Sequence, residues 1–483
     1  MESATLFSAN GIRLFLLGWV LTAITNFPAA FTHTSINSAV LKMNEYLNDS
    51  YTDRYRPLDH YEVSLIKSGI NSVWYVGQVA GAMMSPYVCD NWGRKPAYII
   101  SVVVMTAACG MQMIASLTPF PEILIVGRVI TAVFSPLSDA ALILYLQVWK
   151  SYKEISPSNL RGTMSSLFST GYAVMCLLGV FLGHEDVLGH SLTVLLFVPV
   201  IPGVISTLTL VFLPETPKFL MISRHDMKAA LASLRFYQGD REELQDELDK
   251  LQVESKGGDS EESEGGVKMI MSTRHHRRAL TISVAVLVLT LPFYPILQNS
   301  TYFFTHLNVP NDVAQLSSSL LMVLLTLACI TSTSIVDKLP RRLMLLTAGT
   351  SCMLSLTAFV IAAEFGFRLL AVASVFVFVF SYGVGVGPVA WFISPELVPL
   401  QYRSAMFCIC YGIHSMLVVL TNFATVPLLG AIGAVCFLPI YIIPCSFALA
   451  YVYFSLPETK GRDTLDIVEE LKGHKRKHNI ISA

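Results

Sequence analysis

The acidic and basic side chains of this chain are few, and one set of them falls in motifs that occur twice. Asp90-Asn91-Trp92-Gly93-Arg94-Lys95 stands between two long apolar runs, and Asp337-Lys338-Leu339-Pro340-Arg341-Arg342 stands between two more. Glu154-x-x-Pro157-x-x-x-Arg161 is matched by Glu396-x-x-Pro399-x-x-x-Arg403 with the same internal spacing. Pro214-Glu215-Thr216-Pro217 is matched by Pro457-Glu458-Thr459-Lys460-Gly461-Arg462. Such acid–base sets can pair and part; they make no covalent bond. No nucleophile–base constellation, phosphate loop or metal spacing accompanies them, so an enzyme is not expected and no metal or other cofactor is called for. The nine cysteines, scattered through apolar runs, read as packing residues.

A second set of polar residues lies inside the apolar runs: Asp139, His33, His414, Gln298 and Asn299. An ionisable group at the centre of a bilayer costs at least about 2.5–3.5 kcal/mol, so a functional role is the default reading. Asp139 can bind a cationic solute or carry a proton. It can equally sit near an aqueous end, or bond locally to Ser135 or Ser138. His414 reads more simply as a packing histidine.

The elements that must position these residues are membrane spans. Of 483 residues, 53% are hydrophobic and 14% charged, with a mean hydropathy of +0.57; soluble chains carry roughly 25% charged residues. Apolar runs long enough to cross about 30 Å of hydrocarbon as helices recur along the chain. Twelve are read: 12–32, 68–89, 97–117, 123–148, 163–184, 191–213, 279–305, 313–336, 343–364, 369–394, 403–427 and 431–456. The first is read as a span and not a leader, because it is long and no small-residue cleavage site follows it. The net charge of −1 offers no basic field for nucleic acid.

Arg94, Lys95, Lys150, Lys153, Arg161, Lys338, Arg341, Arg342 and Arg403 fall in alternate short connections, which places those connections and both termini in the cytoplasm. The loop 41–67 is then the largest outer segment. Its Asn48-Asp49-Ser50 is a glycosylation acceptor, whereas Asn299-Ser300-Thr301 lies within a span and is not. The expected organisation is an all-α membrane protein: a six-helix half over 1–213, a cytoplasmic helical linker over 214–278 with a flexible glycine- and acid-rich centre, a second half over 279–456, and a cytoplasmic tail over 457–483. Internal repeats in a membrane chain point to two similar halves around a central site, the plan of secondary transporters.

The chain resembles the sugar porters of the major facilitator superfamily, the group that contains facilitative glucose transporters. The resemblance covers nearly the whole length. It rests on Gly93-Arg94-Lys95, Gly127-Arg128, Glu154 through Arg161-Gly162, Pro214 through Leu220, Gly387-Pro388-x-x-Trp391-Phe392 with Glu396 and Arg403, Pro457 through Arg462, and Ile36-Asn37 before a sequon-bearing outer loop. It implies twelve helices in two pseudo-symmetric halves, alternating access, residence in the plasma membrane and no cofactor. It also implies a conformational latch at the cytoplasmic ends: Asp90, Arg94, Glu154 and Arg161 in one cluster, Asp337, Arg341, Glu396 and Arg403 in the other. Trp391 is kept and offers a stacking face.

The binding helices depart from that pattern. The polar signature of the seventh span reads Val288-Leu289-Thr290-Leu291-Pro292-Phe293-Tyr294; Leu325, Gly383, His414-Ser415 and Ser169 stand where the family has polar, acidic, Asn-Trp and Gln residues. An unpaired hydroxyl in a dry site costs about 1–3 kcal/mol, so a hexose needs replacements for those lost partners. Candidate solute-binding residues are Trp391, Asp139, Gln298, Asn299, His414 and Ser169, in a cavity between spans one, four, seven and ten. A further departure is length. Asp90 to Glu154 covers 64 positions against 59 from Asp337 to Glu396, so residues 148–153 read as an inserted hexapeptide that either lengthens span four or bulges its cytoplasmic end, and that can displace Glu154 from the latch. The expected function is facilitated transport of a small solute, sugar-like. The alternatives are another organic solute or ion balanced by Asp139, or a non-transporting sensor on the same fold. Partners are the solute and the bilayer, with no nucleic acid.

Overall fold

The computed structural model describes residues 9–57, 59–148, 159–222, 224–238, 248, 266–336, 338–399, 402–460, 462 and 464–472. Trp149–Lys153 of the hexapeptide, Glu154, Asp337 and the centre of the linker lie outside the described residues, as do the side chains of Asp90, Arg161 and His33.

Each apolar run forms a helix or a broken helix, because in hydrocarbon the backbone must satisfy its own hydrogen bonds. The first span runs Ala9–Asn26, through a π-turn at Phe27–Phe31, to Thr32–Ser38. Then come His60–Asn91, Arg94–Ala115, Pro121–Val148, Asn159–Leu182, and a sixth span in two pieces, Leu192–Phe197 and Val200–Phe212. The seventh is broken into Arg274–Val288 and Phe293–His306, followed by Asn311–Ile335 and Arg341–Glu364. The tenth comprises Arg368–Ser381, a π-turn at Tyr382–Val386 and Gly387–Glu396; Arg403–Ile432 is the eleventh; the twelfth begins with a π-turn, Leu438–Ile442, and continues as Ile443–Ser455. The breaks coincide with Pro28, Pro199, Pro292, Pro388 and Pro439, each of which lacks the N–H a continuous ladder requires. Among the described residues, nine helical stretches are long and apolar enough to cross a membrane. Phe212, Met83, Leu369 and Phe454 are more than three-quarters exposed, an outward apolar surface that suits lipid and not water.

The spans form a twelve-helix bundle in two halves. Small residues let spans pack backbone to backbone. A Cβ on Gly81 would lie 2.0 Å from the Val133 carbonyl, so spans two and four meet without side chains between them. Spans two and eleven, and spans five and eight, form the broadest contacts between halves.

The repeated motifs fasten each half in the same way. Glu215 accepts the Lys95 backbone N–H at 2.8 Å, at the start of span three. Glu458 accepts those of Arg341 and Arg342 at 2.9 and 3.1 Å, at the start of span nine. A carboxylate there satisfies orphan donors and meets the positive end of the helix dipole. The basic partner is mirrored too: Lys95 Nζ donates to the Val211 carbonyl at 2.8 Å, and Arg342 Nη2 to that of Tyr453 at 2.5 Å.

The segment 41–67 is less a loop than the sequence reading implied, since Val40–Arg54 is a helix. Met43 and Leu47, one turn apart, are buried against the bundle. Arg54 Nη1 lies 2.9 Å from both carboxylate oxygens of Glu122, and the Tyr46 hydroxyl donates to the Ala115 carbonyl at 2.8 Å. Asn48 sits half-buried on this helix. In the segment expected to be a helical linker, Met227–Gln238 is a helix, with Asp226 Oδ1 accepting the Ala229 N–H at 2.9 Å as its cap.

Candidate functional site

A cavity of about 90 Å³ lies between the halves, the space of roughly three waters at ~30 Å³ each. Its walls come from eight spans. Ala29 is from the first, Trp74, Tyr75 and Gln78 from the second, Ser135 and Asp139 from the fourth, and Ser169, Tyr172 and Ala173 from the fifth. Phe293 and Tyr294 come from the seventh, Leu325 and Cys329 from the eighth, Tyr382, Gly387, Pro388 and Trp391 from the tenth, and Tyr411 and His414 from the eleventh. The lining thus extends beyond spans one, four, seven and ten to their neighbours two, five, eight and eleven.

The helix breaks shape this wall. The turn ending at Pro292 starts the second piece of span seven with Phe293 and Tyr294 at the cavity. Phe293 stacks on Tyr382 of the π-turn in span ten, with ring centroids 4.0 Å apart and planes 6° from parallel. A Cβ on Gly387 would stand 2.8 Å from the Tyr382 ring, so the residue after the π-turn must be small.

Of the residues singled out in the sequence, Asp139, Trp391, His414 and Ser169 line the cavity. Asp139 is 6% exposed, and its Oδ2 accepts the Tyr411 hydroxyl at 3.2 Å. Gln78 Nε2 in turn donates to the Tyr411 oxygen at 3.0 Å. The partner of Asp139 therefore comes from the opposite half. Ser138 instead pairs with Thr25 at 3.3 Å. His414 faces Thr290, with Nε2 to Oγ1 at 2.9 Å, and its ring lies 5.1 Å from Trp391 and 5.3 Å from Tyr294.

Gln298 and Asn299 are buried but do not line the cavity. Gln298 Nε2 donates to the Tyr75 hydroxyl at 2.9 Å, and its Oε1 accepts from Asn422 at 2.7 Å. Asn299 occupies the kink of span seven, at φ −132° and ψ 19°. Two contacts between halves thus flank the cavity along the spans: Gln298 with Tyr75 toward one end, and Thr170 with Thr333 at 3.0 Å toward the end that carries the charged motifs.

The departures from the sugar-porter pattern have a packing basis. Leu325 is part of the wall. Gly383 lies where a Cβ would be 2.7 Å from Ala328 Cβ, so no acidic side chain fits between spans eight and ten. Arg128 is fully buried, its guanidinium 5.7 Å from the Trp74 ring, and its nitrogens have no hydrogen-bond partner among the described residues. Among the described residues it meets a ring face and no acid.

Sequence reasoning missed Trp74, Tyr75, Gln78, Tyr172, Tyr294, Tyr382 and Tyr411. Gln78 carried the same signal as Asp139, a polar group mid-span. The tyrosines carried the weaker one of a buried hydroxyl that needs a partner.

In the motif clusters, Arg341 pairs with Glu396 of its own half. Arg94 lies over the Phe219 ring at 4.8 Å.

A family model described as "Sugar (and other) transporter" matches residues 11–471. The mouse protein named solute carrier family 2, facilitated glucose transporter member 7, is 26% identical over 460 residues, covering 91% of this chain and 86% of that one. Human member 3 of the same series is 25% identical over 471 residues, covering 94% and 91%. In fold, the chain is similar to the major facilitator proton:xylose symporter XylE bound to 6-bromo-6-deoxy-D-glucose, with a TM-score of 0.76 at 17% identity over 96% of this chain and 99% of that one. It is also similar to the inward-open form of the E. coli xylose transporter, with a TM-score of 0.71 at 15% identity. Repeated motifs, twelve spans, an inter-half cavity and a family match across almost the entire sequence converge: the chain belongs to the sugar (and other) transporter family, within the sugar porters of the major facilitator superfamily.

Proposed function

We propose that this chain moves a small sugar-like solute across its membrane by facilitated alternating access. The observation that carries the reading is the cavity between the halves, with Trp391 and tyrosine rings on its wall. A pyranose presents an apolar face that stacks on such rings, while tyrosine and serine hydroxyls can meet its own hydroxyls. Relatives named as facilitated glucose transporters support the sugar class.

The moving units are 1–213 and 279–456. Opening one end of the cavity requires parting Gln298 from Tyr75; opening the other requires parting Thr170 from Thr333. The charged clusters act as the latch at the second end. The chain sits in the plasma membrane with both termini in the cytoplasm and Asn48 on the outer face.

The test is uptake of a labelled solute panel, hexoses included, into vesicles carrying the full chain or a form lacking residues 148–153. Saturable, competable hexose uptake is the expected result. If neither form takes up any hexose while both remain monodisperse and lipid-embedded, the sugar assignment is wrong.

A further inference from the structure

We propose that the cavity recognises an organic ammonium ion, with Asp139 as its counter-ion and the surrounding rings as its cage. The inference rests on the reading of this cavity as the solute site. It names a ligand class that a site for neutral hexoses has no need of.

Asp139 lies on the cavity wall, and its one described donor is the Tyr411 hydroxyl. An ionised carboxylate has about four lone-pair positions, so most of its capacity is open. Among the described residues no lysine or arginine pairs with it. The other buried charge of span four, Arg128, is eleven residues away, about 16 Å along a helix and far beyond pairing distance. No lysine or arginine is among the described lining residues either, so an anion would meet a carboxylate and no compensating charge.

The rings beside Asp139 are contiguous. Tyr411, its hydrogen-bond donor, stands 5.4 Å from Trp391; Trp391 is 5.1 Å from His414; His414 is 5.3 Å from Tyr294; Tyr294 is 5.6 Å from Tyr75. Ring faces carry negative potential and attract a desolvated cation, with tryptophan the strongest. A carboxylate and a run of aromatic rings on one cavity wall is the chemistry that holds an alkylammonium group.

The arrangement also ties binding to conformation. Asp139 and Tyr75 belong to the first half, while Trp391, Tyr411, Tyr294 and His414 belong to the second. A cation placed among them draws the halves together. It also competes with the Tyr411 hydroxyl for the carboxylate.

The experiment measures binding of radiolabelled choline to the full chain in lipid nanodiscs, competed by 3,3-dimethylbutan-1-ol, which has the same shape without the charge. The expected result is at least about tenfold tighter binding of choline, equal to about 1.4 kcal/mol. Asp139→Asn is expected to reduce that preference to near unity, and Trp391→Leu to weaken choline more than the alcohol. Equal binding of the two probes to the wild-type chain overturns the proposal, and so does an unchanged preference in Asp139→Asn; the wild-type comparison decides even if a variant does not fold. Hexose uptake in the same preparation separates the two readings. Hexose transport without choline binding overturns the cation site alone. Choline preference without hexose transport supports it and overturns the sugar assignment.

Discussion

Replacing Tyr75 by phenylalanine removes one hydroxyl and, with it, the hydrogen bond that Gln298 Nε2 donates across the halves at 2.9 Å. The ring keeps its place against Tyr294, 5.6 Å away, so packing is nearly unchanged. The bond exists only while the halves meet at that end of the cavity. A neutral hydrogen bond contributes about 0.5–1.5 kcal/mol net, which is roughly a two- to twelvefold change in the ratio of closed to open states. The state open at that end should gain by this factor. The readout is the labelling rate of a single cysteine introduced on the cavity wall, by a membrane-impermeant maleimide added from outside. Cys329, which lines the cavity, is first replaced by serine; the other eight native cysteines are buried and are not among its described lining, which keeps the background low. Thr333→Val removes the Thr170 contact at the opposite end, so it should slow the same labelling. Gln298→Leu combined with Tyr75→Phe should cost less than the sum of the two alone, because both break one bond. Equal labelling rates for the wild type and all the variants, or strict additivity in the cycle, would refute the assignment of these pairs as the two gates.

Glu458→Ala strips the acceptor from three backbone N–H groups, those of Arg341, Arg342 and Lys460, and should destabilise the detergent-solubilised chain by about 2–4 kcal/mol; Glu215→Ala should show a loss of the same order in thermal unfolding. Gly383→Asp should abolish uptake and lower the melting temperature, since its Cβ meets Ala328, and Ala328→Gly should restore part of the loss. Asn48→Gln should remove the glycosidase-sensitive mobility shift of the chain expressed in a glycosylating cell, whereas Asn299→Gln should leave the shift unchanged because Asn299 is buried in span seven.

The spans were readable because hydrocarbon leaves an unbroken apolar run few alternatives to a helix, and the twelve-helix fold follows from counting such runs. The charged motifs were readable as a repeat, but not in what they do. The local sequence around Glu215 carries no sign that its carboxylate reaches the start of span three, more than a hundred residues earlier. The helix Val40–Arg54 was readable in part: Met43 and Leu47 repeat at one turn amid polar neighbours, but a segment rich in Asn, Asp, Ser and Tyr reads as loop when propensity alone is weighed. Asp139 announced itself because an acid amid apolar residues has few innocent explanations. Tyr294 and Tyr411 did not, because an aromatic residue in a span is usually packing, and only the crossing of spans four, seven and eleven turns these rings toward one acid. Gln298 misled for the opposite reason: its polarity was real, but it is directed at Tyr75 and Asn422 and not at the cavity.

The two glutamates that fasten helix starts bear on how such a chain is made. Glu215 follows the sixth span and grips the third; Glu458 follows the twelfth and grips the ninth. Each closure is complete within its own half and needs nothing from the other. Leaving the ribosome, the first six spans can be sealed by residue 215 before the seventh begins at Arg274, and the intervening segment gives time for that step. The second half then matures against a finished template. A defect in the Glu215 clasp should therefore appear as early degradation of the nascent chain, and one in the Glu458 clasp as a full-length protein retained with its first half intact.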